Sequence, residues 1–307
     1  MGQASKIPLI VILGPTSAGK TALSLTLAKK FNGEIVSADS RQVYRGLDIG
    51  TGKATVRERR GIAHHLIDWK NPGNTISLAE YKKAADAAIL GITQRGKIPF
   101  LVGGSALYLK AVVDNYLIPL VAPQPKLRKK LDRMTTSELV RLLKRHDAIT
   151  ASKIDIENRR RIIRALEVTL TSGKPFSSLQ RKGEPLYSCL KIGPLLTRED
   201  LYKKIDDRLD ARVKRGLIAE VQHLLDSGVS SSWLSSLGLE YRHITAFLRD
   251  SRAKNIDVRN EYISTLKYAI HDFARRQLVW FRKDPQIEWI APTNIAHASR
   301  LIRKFLF

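Results

Sequence analysis

The chain has 307 residues, with 53 Lys and Arg against 29 Asp and Glu, a net charge of +24 and a pI near 10.2. Hydrophobic residues at 43% and a mean hydropathy of −0.19 exclude a disordered chain and suit one large domain or two ordinary ones. A single cysteine, Cys189, excludes internal disulfides and a Cys-rich zinc site, and no run of 18 apolar residues offers a membrane-spanning helix. The positive excess calls for a polyanionic partner, nucleic acid first and an acidic membrane surface second.

Met1-Gly2-Gln3-Ala4-Ser5-Lys6 approximates a myristoylation signal but carries Lys6 where Ser or Thr is needed. The apolar run Ile7 to Leu13 leads into glycines and a lysine rather than a small-residue cleavage site, which favours a buried strand over a signal peptide. The expectation is an untargeted cytoplasmic protein, with no membrane attachment and a monomeric state. Residues 19 to 31 then show helical spacing through Leu23, Leu27 and Phe31. Glu34 to Ala38 and His65 to Trp69 read as strands, and Ser77 to Arg95 as a helix whose Ser77 and Glu80 form a capping box. Ile98 to Val102 is a further strand, and Gly103-Gly104 opens another helix. Strands alternating with helices predict a parallel α/β sheet.

The pattern changes near Tyr116. Pro119, Pro123 and Pro125 mark a connection, and Lys126 to Ser172 is helical and heavily basic until Gly173-Lys174-Pro175. Tyr187 to Leu196 returns to a strand, and Arg198 to Arg282 is helical with breaks near Gly216, Gly228 and Gly238. The predicted organisation is an α/β core over residues 1–118, a helical insertion over 119–185, and a completion of the core with a helical C-terminal part over 186–307.

Gly14-Pro15-Thr16-Ser17-Ala18-Gly19-Lys20-Thr21 matches the phosphate-binding loop G-x-x-x-x-G-K-[ST], placed between a predicted strand and a predicted helix. Its glycines let backbone N–H groups turn toward phosphate oxygens, Lys20 neutralises them, and the Thr21 hydroxyl is a ligand for Mg²⁺. The loop implies a polyphosphate or pyrophosphate; it does not specify ATP. Asp39 and Asp68 both stand where an acid would help position the metal. A P-loop kinase or NTPase acting on RNA or a small molecule therefore stays open on this motif.

Asp39-Ser40-Arg41-Gln42-Val43-Tyr44, Asp48-Ile49-Gly50-Thr51-Gly52-Lys53 and His64-His65-Leu66-Ile67-Asp68 follow the loop in close order. Further blocks are Gly103-Gly104 with Leu107-Tyr108, Arg161 to Val168, Gly173-Lys174-Pro175, Gly216-Leu217 with Glu220-Val221, and Ala274-Arg275-Arg276-Gln277 with Trp280-Phe281-Arg282. In this order they resemble the tRNA dimethylallyltransferases, or isopentenylpyrophosphate:tRNA transferases, over nearly the whole chain. The chain departs from that pattern at Ser17-Ala18, Ala54, Ser105-Ala106 and Leu237 to Arg242, and none of these removes a group with assigned chemistry.

The resemblance implies transfer of a dimethylallyl group from its diphosphate to N6 of the adenosine on the 3′ side of the tRNA anticodon. Departure of diphosphate needs positive charge and donors, here Lys20, Thr16, Mg²⁺ on Thr21 and an arginine. Arg208 and Arg212 share a helix face, and the resemblance favours Arg212 as the clamp, with pairing of Arg208 to Asp206 or Asp207 as the alternative. The amine nucleophile calls for a general base, and Asp39 is the candidate, with metal positioning or capping as its alternative. The catalytic set is thus Asp39, Thr16 and Arg212. RNA contacts are expected at Asp39, Ser40, Arg41, Gln42, Ser105, Arg128, Arg160, Arg161, Ile162, Ile163, Arg164 and Arg242, with a further basic and aromatic cluster of Arg275, Arg276, Arg282 and Lys283 around Trp280 and Phe281. Arg164 alternatively turns inward to pair with Glu167. His64 and His65 are not expected to bind metal.

Overall fold

The computed structural model describes residues 6–119, 121–179 and 181–307, so the start from Met1 to Ser5 lies outside the described residues. The chain opens with β1 (Ile7–Leu13), α1 (Lys20–Lys30), β2 (Gly33–Ser37), the single turn α2 (Val56–Arg59), β3 (His64–His65), α3 (Leu78–Gln94), β4 (Ile98–Gly103) and α4 (Ala106–Val113). Next come β5 (Tyr116–Leu117), α5 (Pro125–Asp132), α6 (Thr136–His146), α7 (Ala148–Lys153), α8 (Arg159–Ser172), α9 (Phe176–Leu179) and β6 (Arg181–Lys182). The chain closes with β7 (Tyr187–Pro194), α10 (Arg198–Lys214), α11 (Leu217–Asp226), α12 (Ser231–Leu237), α13 (Leu239–Arg249), α14 (Ile256–Phe281), β8 (Ile287–Ile290) and α15 (Ile295–Leu306).

Two compact units result, one of residues 1–113 and 186–307 and one of residues 114–185. The first holds a six-stranded sheet in the order β3-β2-β4-β1-β7-β8, with every neighbouring pair parallel. Successive side chains of β1 point to opposite faces, as the pleat requires. Leu9, Val11 and Leu13 pack with Tyr81, Ile89 and Tyr108 of α3 and α4. Ile10 and Ile12 pack with Leu23 and Leu27 of α1 and Ile302 of α15. This two-sided burial explains the unbroken apolar run that marks the strand in the sequence. A third cluster lies among the helices that follow β7, where Ile205, Leu209, Leu217, Tyr241 and Ile270 close around Val43 and Leu47.

The capping box of α3 forms as its sequence predicts, with Ser77 accepting from the Glu80 backbone. The third strand is shorter than predicted. Only His64 and His65 pair with β2, because Leu66 at φ 63° and Asp68 at φ 54° take left-handed conformations that end the extension. Among the described residues no helix is long and apolar enough to cross a membrane.

The second unit begins at Asp114 rather than at 119, because β5 pairs antiparallel with β6 at the far end of the segment. Its core is formed by Leu131, Leu139, Leu143, Ile162, Ile163 and Leu166. Ile162 and Ile163, expected as RNA contacts, therefore have core side chains, since α8 turns this stripe inward. Glu167, fully buried, binds Arg128 through Nε and Nη2 at 2.7 Å each, Arg164 Nη1 at 2.6 Å and the Gln124 N–H at 2.6 Å. Arg164 thus takes the inward alternative, and Arg128 shares it.

Burial alone would raise the Glu167 pKa, but the Arg128, Gln124 and Arg164 hydrogen bonds outweigh it and lower the group to about 2. A depressed carboxyl contributes stability above its unfolded value and loses it as pH falls through the folded one. Glu167→Ala should destabilise by about 1–3 kcal/mol at neutral pH, because it removes the buried acceptor of two part-exposed arginines and the Gln124 N–H. Denaturant titration checks this; between pH 4.5 and 2 the gap between wild type and variant should narrow.

Candidate active site

The site lies along the carboxyl ends of the sheet strands, where open parallel sheets place ligands. After β1 the chain turns through Gly14 to Gly19, and Gly19, at φ 95°, enters α1 in a left-handed conformation that disfavours a Cβ. No side chain caps α1, which leaves its first N–H groups facing the loop. Lys20 Nζ donates to Pro15 O at 2.6 Å. Burial, then the charge of Arg208, lowers Lys20 to about 8, with Asp39 opposing.

Register then assembles the rest. Leu13 pairs with Gly103, and Ala38 N donates to Val102 O at 2.7 Å, so the ends of β1, β4 and β2 lie side by side. Gly103 packs so tightly on the Ala38 backbone that any side chain would displace it. Asp39 follows directly, and its Oδ1 accepts from the N–H groups of Arg41 at 2.9 Å and Gln42 at 3.4 Å. The Ser40 N–H donates to Ser105 Oγ at 3.1 Å, which ties two of the expected RNA-contact residues to each other.

Arg212 is 7% exposed and donates through Nη1 to Gly50 O at 3.3 Å and Glu240 Oε1 at 3.2 Å. Arg208 Nη2 donates to Gly52 O at 3.1 Å. It is not drawn to Asp206, which pairs with His271 at 2.8 Å. Burial, then the neighbouring Arg212 charge, lowers Arg208 to about 10. Two cavities of about 620 Å³ and about 100 Å³ both take Lys20, Thr21, Arg208 and Arg212 as walls. The smaller also receives Thr16, Asp39, Arg41, Gln42 and Ser105. Three cations beside an uncapped helix start form a receptor for a compact polyanion, and Asp39 adds a proton acceptor.

Other expectations resolve differently. Asp68 is drawn to Lys53 at 2.6 Å and Arg59 at 3.7 Å and lines neither cavity. His65 Nε2 lies 2.7 Å from Glu34, and among the described residues no group of three or more His, Cys, Asp or Glu could hold a metal. Phe281, expected as stacking surface, is core at 1% exposure, and Arg275 and Arg276 pair with Asp272. Arg41 donates through Nε to Leu237 O at 2.6 Å, in a slot that exists because residue 238 is glycine. Arg160, Arg161 and Arg242 are exposed.

Gln277 has a role that the sequence alone does not reveal. Its Oε1 accepts from Thr16 N at 2.9 Å and its Nε2 donates to Gly104 O at 2.9 Å, which joins the loop to the end of β4. The only signal is its place in the Ala274-to-Gln277 block. Glu240, the acid beside Arg212, is visible in the sequence only as part of a divergent segment.

Fold and site together define a P-loop α/β protein with cation-lined cavities at the phosphate-loop motif. The family model described as IPP transferase matches residues 42–284. The chain is 43% identical over 291 residues to a tRNA dimethylallyltransferase of Thermomicrobium roseum, covering 94% of this chain and 87% of that one. It is 46% identical over 285 residues to a tRNA dimethylallyltransferase of Roseiflexus sp., covering 92% of each. The full-length tRNA isopentenylpyrophosphate transferase of Bacillus halodurans has a similar structure, with a TM-score of 0.72, 35% identity and coverage of 98% and 97%. A eukaryotic dimethylallyltransferase acting on tRNA superposes with a TM-score of 0.80 at 25% identity, over 97% of this chain and 77% of that one. The chain belongs to the IPP transferase family.

A lysine depressed on folding opposes stability below its folded pKa, and that opposition fades as pH rises toward the unfolded value. Lys20→Met should therefore melt higher than wild type at pH 7 in the absence of ligand, with the difference shrinking between pH 8 and 10.5. Scanning calorimetry across this range checks it. Added pyrophosphate should stabilise the wild type more than the variant.

Proposed function

We propose that this chain transfers the dimethylallyl group of dimethylallyl diphosphate to N6 of the adenosine on the 3′ side of the tRNA anticodon. One observation carries the reading: Asp39, an acceptor for an amine proton, shares a cavity with Lys20, Arg208 and Arg212, which suit a leaving diphosphate. The N6 lone pair attacks the allylic carbon, the carbon–oxygen bond breaks with its electrons going to diphosphate, and the amine proton passes to Asp39. Lys20, Arg212, the Thr16 hydroxyl and the loop amides, from Gly14 through Ser17, Ala18 and Gly19, stabilise the charge growing on the bridging oxygen, while Pro15 shapes the loop.

The donor set fits Mg²⁺. Thr21 lines both cavities with one hydroxyl, and this ion takes few protein ligands when phosphate oxygens and waters complete its shell. When bound there it supplies Lewis-acid stabilisation of the diphosphate. The rival reading, a P-loop kinase or NTPase, shares the loop and would use an acid such as Asp39 as its own base; the similarity to tRNA dimethylallyltransferases favours transfer over it. Thermal unfolding separates the two. Dimethylallyl diphosphate with Mg²⁺ should protect the protein, and steady ATP hydrolysis would favour the rival.

On the RNA side, the exposed Arg160 and Arg161 and the +24 balance support phosphate contacts by the inserted unit. Arg160→Ala with Arg161→Ala should flatten the slope of log K against log salt by roughly 0.7 to 0.9 per lost contact. Protection by the donor should survive. Asp39→Ala should slow single-turnover transfer by about 10²-fold or more with little change in tRNA affinity. Poor tRNA binding with a normal rate at saturation would make Asp39 a contact residue instead.

A further inference from the structure

Glu220 lines neither cavity, yet its carboxylate is engaged on the loop that carries both arginine acceptors. Oε2 accepts from the N–H groups of Asp48 at 2.9 Å and Ile49 at 2.6 Å. Oε1 accepts from the Gly50 N–H at 2.9 Å and from the Tyr241 hydroxyl at 2.9 Å. Three consecutive backbone amides thus converge on one side chain of α11. The carbonyls of the same loop, at Gly50 and Gly52, accept from Arg212 and Arg208. Tyr241, wholly buried in α13, closes the loop from the other side, and a Cβ on Gly50 would lie 2.6 Å from its ring.

We propose that Glu220 is a positioning residue for donor binding: it holds residues 48–50 so that the Gly50 and Gly52 carbonyls set Arg212 and Arg208 for the diphosphate. The assignment rests on the reading that these two arginines hold the donor. The chemistry calls for a carboxylate in particular. Four donors point at two oxygens, so an amide NH₂ at either position would face donors and forfeit up to two of the four bonds. An acid that orders only a surface turn would not need to act on the short loop whose next carbonyls, at Gly50 and Gly52, hold the two arginines. Here one peptide run is fixed through its N–H side by Glu220 and offers its C=O side to the arginines. Displacement of such a run by a fraction of an ångström moves both guanidinium groups together.

The test compares Glu220→Gln, Tyr241→Phe, Arg212→Ala and the double variant Glu220→Gln with Arg212→Ala, each assayed for donor KM, kcat, tRNA affinity and melting temperature. Glu220→Gln should raise donor KM by about tenfold or more while tRNA affinity stays within about twofold. Tyr241→Phe removes one bond to Glu220 but none to the loop amides. It should lower the melting temperature and leave donor KM within about twofold of wild type, a separation that a merely structural role for Glu220 would not produce. In the Arg212→Ala background, Glu220→Gln should raise donor KM by a smaller factor than in the wild type, because only the Arg208 arm is left for it to act through. If Glu220→Gln does not fold, Gly50→Ala displaces the same loop from the Tyr241 side and should raise donor KM in its place. An unchanged donor KM in Glu220→Gln or Gly50→Ala, with Arg212→Ala strongly impaired, overturns the positioning role and leaves the donor site standing. No donor effect from Arg212→Ala overturns the donor site, and the positioning role with it.

Discussion

Lys20, Arg208 and Arg212 repel one another inside a cavity where burial has already weakened their hydration, and the rest of the site is arranged around that repulsion. Burial holds Lys20 and Arg208 below their usual pKa values, and the charge of an arginine neighbour is the next cause in each. Each cation is held by neutral acceptors: Pro15 O for Lys20, Gly52 O for Arg208, and Gly50 O for Arg212. Among the described residues only Arg212 of the three has a carboxylate in ion-pair contact, that of Glu240. Carbonyl dipoles keep Lys20 and Arg208 in place without neutralising them, so their field remains available to an anion that brings several charges at once. A diphosphate fits that demand, and more so as its leaving oxygen gains charge.

The sheet supplies the rigidity this needs. β1, β4 and β2 are neighbours, and their carboxyl ends deliver the phosphate loop, the Gly103-Gly104 pair and Asp39 within one hydrogen-bond network. The helical part of the same unit supplies the arginines on α10, the acids on α11 and α13, and Gln277 on α14. The two arginines therefore sit on a helix packed through Ile205, Leu209 and Tyr241, while Lys20 and Asp39 sit beyond the ends of the sheet strands.

The strand–loop–helix start is legible in the sequence because its signals are local: an apolar run, two glycines and a lysine; the capping box marks the start of α3 in the same way. The helical breaks at Gly216, Gly228 and Gly238 are legible for the same reason. Partnership at long range is not. Glu167 draws in Arg128 and Gln277 reaches Thr16 through pairings that no spacing rule encodes, whereas the Arg164–Glu167 pair, three residues apart on one helix, is open to the sequence. The third strand falls short of its apolar run because a left-handed Leu66 and Asp68 leave no mark on hydropathy. Ile162 and Ile163 illustrate the limit of reading a basic block as a surface. Arg160 and Arg161 beside them are exposed, while the isoleucines form the core of the inserted unit.

If one cavity joins a proton acceptor to a diphosphate receptor for transfer to RNA, a single incubation should reveal it. The protein would be combined with dimethylallyl diphosphate labelled in its carbon chain, Mg²⁺ and unmodified tRNA, and the RNA then digested to nucleosides. The expected product carries label on N6 of the adenosine 3′ to the anticodon, with one diphosphate released per label transferred. Diphosphate release without label in any nucleoside, or label on a base elsewhere in the tRNA, would contradict the proposed chemistry.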